Sequence, residues 1–343
     1  MDSQIVNILQ NLNAIDIAGI LSIFPTVIIT SKTVSSKITN YRIRKDSKVK
    51  DLKRVVIPEE VKIKDYSIHT DKINEKYKDS VIEFSSLLIN KFPKDVLINF
   101  YNNINSLAIK DNKTIILANA NGLYYSDSNK IVLAANKSIY HELFHMSSNY
   151  YYRDDKTVIS RIGFCQWSYK DGSRFEIGSG LNEGYTEALT KRYFGTNGEY
   201  AYEVLIAEKL EEIIGKDITE KLYFKADLNG LIEELMKYVP KDKISEFITS
   251  FDVTSKYIYK EAKKVQEKIT YIYNFLVTAY LVKKRKELYS GLISYEKFIE
   301  EYKIFIKPLC ASTNIYKGLN FDSLMEVLDS VIDKNRIRNG NIK

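Results

Sequence analysis

Ile139-Tyr140-His141-Glu142-Leu143-Phe144-His145-Met146 holds two of the three histidines in this 343-residue chain, four residues apart, with a glutamate directly after the first. On a helix, four residues bring side chains back to one face. Both imidazoles can then bind one metal ion, and Glu142, about 100° round the helix from His141, reaches a metal-bound water from the side. Ile139, Leu143 and Met146 fall away from the histidine edge, which suits a helix whose apolar back packs inward while its other edge lines a cleft.

These residue types suit zinc chemistry. Neutral imidazole is a good zinc ligand, and a site with three protein ligands keeps one position open for water. Zinc lowers the pKa of that water from about 15.7 to near 7, and a neighbouring carboxylate, here Glu142, then takes its proton as it attacks a carbonyl. The plain alternative is an amphipathic helix whose histidines are satisfied at its surface or in its core. What separates the two is a third ligand downstream, on an element able to fold back against this helix.

Gly178-Ser179-Gly180-Leu181-Asn182-Glu183-Gly184-Tyr185-Thr186-Glu187 provides such an element. A glycine turn opens a second helix, on which Glu183 and Glu187 share a face. With the upstream HExxH stretch, the Asn-Glu-x-x-x-Glu pattern of Asn182, Glu183 and Glu187 resembles the gluzincin group of metallopeptidases, the class that includes thermolysin. The resemblance covers roughly residues 110 to 195. It implies that His141, His145 and Glu183 are the zinc ligands, that Glu142 is the general base, and that Glu187 and Asn182 stand behind the ligands. Glu187 is then expected to accept the spare ring N–H of a ligand histidine, His141 by analogy.

The resemblance also implies an α+β, zincin-like metallopeptidase fold: a small sheet next to the HExxH helix and a mostly helical C-terminal lobe closing the cleft. Strands are expected at Thr114 to Ala118, Leu123 to Tyr125 and Lys130 to Ala134, separated by Asn-Gly and Ser-Asp-Ser-Asn turns. In zincins an edge strand of such a sheet pairs with extended substrate, and one of these is nominated for that role. Between the two motif helices, Asp171-Gly172 between apolar runs predicts a hairpin bordering the cleft. One departure stands out. Thermolysin uses a later histidine to stabilise the oxyanion, whereas the third histidine here, His69, lies upstream in a charged stretch, so a tyrosine, arginine or lysine must serve. Tyr185, two helical residues from Glu183, is expected to point away from the metal.

A hydrophobic fraction of 45% with only five prolines and 14 glycines indicates a packed, helix-rich protein and excludes a disordered one. Apolar residues at three- and four-residue spacing predict helices at Glu203 to Ile214, Leu231 to Tyr238, Lys256 to Leu288, Tyr295 to Phe305 and Phe321 to Asp333. The expected organisation is an accessory region over 1–54, a catalytic domain over 55–197 and a helical domain over 198–343.

The net charge of +7 is spread along the chain and interleaved with acids, so no nucleic-acid partner is expected. The local exception runs from Lys32 to Arg54, where nine cations meet only Asp46 and Asp51. It follows an apolar segment, Ile15 to Thr30, which carries Asp16 and Pro25 and falls short of the roughly 20 residues of a spanning helix. A buried helix pair in a cytoplasmic protein is expected there, with membrane-surface attachment through residues 15–54 as the alternative. Cys165 and Cys310 cannot make a disulfide framework and suit a reducing compartment.

The leading functional expectation is a zinc metallopeptidase acting on a peptide or protein substrate. The alternative is a catalytically silent zincin-like binding or regulatory protein. The intact Glu142 favours the enzyme, since a binding module has no chemical need for a base beside the metal.

Overall fold

A computed structural model describes residues 39–50, 66–71, 73–112, 121–170, 173–195 and 200–331. The chain divides into two compact units, 1–48 and 49–343. In the first, residues 39–46 are helical and Ile43 is buried. The apolar segment 15–30, the expected strand 114–118 and the Asp171-Gly172 turn lie outside the described residues.

The second unit is α+β. It opens with helix α1 (Glu75–Lys91), whose N-cap Asn74 accepts from the Lys76 N–H at 3.0 Å. Glu75 in its first turn and Lys91 in its last both favour the helix dipole. Tyr77, Val81, Phe84 and Leu88 form its buried stripe. Helix α2 (Ile98–Ile104) follows, then strands β1 (Ala108–Asp111), β2 (Gly122–Tyr125) and β3 (Lys130–Leu133). These make a sheet of order β1-β3-β2, with β1 parallel and β2 antiparallel to the central β3. β2 and β3 match expected strands, and β2 ends this sheet among the described residues.

A short 3-10 turn (Asn136–Ser138) leads into α3 (Ile139–Ser147), which carries both histidines. The expectation of a helix with one apolar back is too modest. Every residue of α3 except Tyr140 is buried, because α1, α2 and the small sheet all pack round it. Phe144 meets Phe84 edge-on at 4.9 Å between ring centroids. Leu143, Phe144 and Met146 are fully buried, each contributing about 1.5–3 kcal/mol. The C-terminal end is tied off by Asn103, whose amide donates to the carbonyls of Met146 and Asn149 at 2.9 and 2.7 Å.

Between the motif helices lies a four-stranded antiparallel sheet, ordered β4 (Asn149–Arg153), β5 (Thr157–Ile162), β6 (Cys165–Lys170) and β7 (Ser173–Ile177). The expected hairpin is its second half, with Lys170 paired to Ser173. Its first half was not anticipated.

Helix α4 (Ser179–Phe194) carries the glutamates. It starts at Gly178, whose φ of +83° and close approach to the Phe164 carbonyl exclude a side chain. The helical C-terminal region follows: α5 (Ala201–Ile214), α6 (Lys216–Phe224), α7 (Leu228–Met236), α8 (Lys241–Tyr289, kinked at Glu261), α9 (Tyr295–Cys310) and α10 (Phe321–Val331). Tyr257, Tyr273 and Phe275 are buried there, while Tyr259 is half-exposed with its hydroxyl on Glu203. Among the described residues no helix is long and apolar enough to cross a membrane.

Candidate metal centre

α3 and α4 pack against each other so that residues 42 positions apart in sequence become neighbours. His141 Nε2 lies 3.1 Å from His145 Nε2 and 3.3 Å from Glu183 Oε2, and His145 Nε2 lies 3.6 Å from the same oxygen. These three residues form a group whose donor atoms all fall within 4.8 Å of one another and which could hold a metal ion. Both histidines are buried and Glu183 is partly exposed.

The remaining predicted residues surround this group. Glu187 Oε2 lies 2.9 Å from His141 Nδ1. Asn182 reaches the other histidine, with its amide nitrogen 3.2 Å from His145 Nδ1. Thr186, which the sequence reading passed over, joins it at 3.5 Å and is itself bonded to the Tyr223 hydroxyl at 2.6 Å. A readable signal was there, because Asn182 and Thr186 form an i,i+4 pair one step round the helix from Glu183 and Glu187. Tyr185 points the other way, donating to Glu211 at 2.5 Å.

Glu142 is buried beside the group. Its carboxylate lies against Gly122, where a Cβ would come within 2.7 Å of Oε1. Strand β2 thus approaches the glutamate at Gly122. His141, Glu142, His145, Asn182, Glu183 and Glu187 border one cavity of about 610 Å³, whose walls include Trp167 and Arg174 from the β6-β7 hairpin and Tyr200. The Tyr200 ring stacks on that of His141 at 5.7 Å. His69 is not part of this cavity. Cys165 borders it as a free thiol, and Cys310 is also unpaired in any disulfide.

The charge balance fits a cation. Glu142, Glu183 and Glu187 make no ion pair with lysine or arginine among the described residues. Burial opposes charge on His141, but its bonds to Glu183 and Glu187 prevail and push it up to about 10. Burial likewise opposes charge on Glu183, yet the two imidazoles hold its carboxyl well below the usual carboxylate range. For Glu142 burial wins over both histidines and raises the pKa. The two Nε2 atoms and the Glu183 oxygen converge at 3.1 to 3.6 Å, and either shared protons or a metal ion can join them, the ion meeting all three at once.

Comparison with known proteins returns nothing: no family model, no curated protein and no solved structure matches the chain.

Proposed function

We propose that this protein is a zinc-dependent peptidase of the gluzincin kind, with a zincin-like catalytic region. One observation carries the reading: His141, His145 and Glu183 converge at the base of a cavity that also holds Glu142. Two imidazoles and one carboxylate are a donor set suited to catalytic zinc. When bound, zinc acts as a Lewis acid that acidifies water and polarises a peptide carbonyl.

The chain's own residues do the rest. Glu142 takes the proton of the attacking water and returns it to the leaving amine, a role suited to a carboxyl whose pKa burial has raised. Gly122 lies against that carboxylate and limits how far it can turn. Glu187 accepts from Nδ1 of His141, leaving Nε2 with its lone pair towards the metal. Asn182 does the same for His145 if its amide oxygen takes Nδ1–H, and that oxygen is buried without a partner in the opposite orientation.

Strand β2, which borders the cavity and ends its sheet among the described residues, is assigned to extended peptide or protein substrate. For the oxyanion donor we propose Tyr200, which borders the cavity with its ring stacked on that of His141.

The test is Glu142→Gln. The amide keeps the shape and cannot accept the proton, so cleavage of a peptide library should be abolished with zinc content unchanged. Equal cleavage by a zinc-loaded Glu142→Gln protein contradicts the mechanism.

A further inference from the structure

The first N–H groups of a helix have no partner within it, and α4 begins at Gly178, which has no side chain to supply one. Two of them are satisfied from another element. Asp252, on α8, accepts from the Gly178 N–H at 3.0 Å through Oδ2 and from the Gly180 N–H at 3.1 Å through Oδ1. Oδ1 also accepts from the Ser179 hydroxyl at 3.3 Å, and Lys50 Nζ lies 3.1 Å from Oδ2. Lys50 is held in turn by its backbone N–H, which donates to the Thr249 hydroxyl one helical turn before Asp252 at 3.2 Å. Asp252 is buried and does not line the cavity.

A buried carboxylate is expensive unless its oxygens are fully bonded and its charge is balanced, and both conditions are met here. Its bonds end three residues before Glu183. The rest of α4 is secured by Leu181, Tyr185, Ala188 and Leu189, all buried, so the helix does not depend on Asp252 to stay packed. What the carboxylate fixes is the path of the first turn, and with it the place from which Asn182 and Glu183 reach the histidines.

We infer that Asp252, balanced by Lys50, is a positioning residue that sets Glu183 against His141 and His145 from the C-terminal region of the chain. The inference rests on the metal-centre reading. It gives one cation of the basic N-terminal cluster a defined task.

The test is cobalt(II) titration of the full chain, followed by d–d absorption, for wild type, Asp252→Asn, Glu183→Gln and the double variant. Asp252→Asn should bind about tenfold more weakly, the lower end of what outer contacts of a metal site contribute, with its far-UV circular dichroism unchanged. In the Glu183→Gln background the same substitution should cause no further loss, because two residues acting through one contact are not additive. Wild-type affinity in Asp252→Asn, or the same tenfold loss without Glu183, overturns the inference and leaves the metal centre standing. If Asp252→Asn does not fold, Lys50→Met takes its place, since it keeps the carboxylate and removes its cation. A loss that disappears in the Glu183→Gln background supports the assignment, and no loss overturns it. Failure of the wild type to bind cobalt overturns the metal-centre reading and this inference together.

Discussion

His141 Nδ1 lies 2.9 Å from Glu187 Oε2, while the same ring's Nε2 faces His145 and Glu183. A carboxylate can only accept, so Nδ1 donates to Glu187, and a metal bound at Nε2 would take the place of the proton that the raised pKa keeps there. Glu187→Ala should therefore weaken metal binding by about 10- to 100-fold without abolishing it. Competition with a chelator of known affinity measures this, and a loss as complete as that of Glu183→Ala would exchange the two roles.

Gly122→Ala tests the contact between β2 and the base. Its Cβ would fall 2.7 Å from Glu142 Oε1 and must displace the carboxylate. A shift on the order of 1 Å can lower turnover by about 100-fold. Metal affinity should change far less than turnover, since the atoms nearest that Cβ all belong to Glu142. Unchanged turnover would show that Glu142 need not be held there.

Tyr200→Phe removes a hydroxyl and keeps the ring stacked on His141. If that hydroxyl stabilises the oxyanion, kcat should fall by about 100-fold or more with zinc content intact. A change confined to KM would instead make Tyr200 a substrate-binding residue.

The far side of α4 carries a stability prediction. Arg192 bonds Glu211 at 2.5 Å and Glu220 at 2.8 Å, and both carboxylates are largely buried. Lys91 adds a weaker pairing to Glu220 at 3.5 Å. Arg192→Met leaves those charges underpaired and should reduce stability by about 3–5 kcal/mol in urea unfolding. A change below about 1 kcal/mol would mean that the carboxylates find other partners.

Much of the site was legible because its chemistry is local. His141 and His145 are one helical turn apart, and so are Glu183 and Glu187, and helical spacing alone puts each pair on one face. The C-terminal helices were legible for the same reason, though α8 starts at Lys241 rather than Lys256 and α6 was missed. β4 and β5 escaped notice because Asn149 to Ile162 is rich in tyrosine, arginine and serine, with no clean apolar alternation. Asp252 could not have been found at all. It lies 72 residues from Gly180, and its partners are backbone N–H groups that leave no mark in a sequence.

The most direct test is elemental analysis of the purified full-length protein beside Glu183→Ala. The account predicts one zinc per chain in the wild type and little or none in the variant. Zinc undiminished in Glu183→Ala, or a wild type that takes up none, would contradict it.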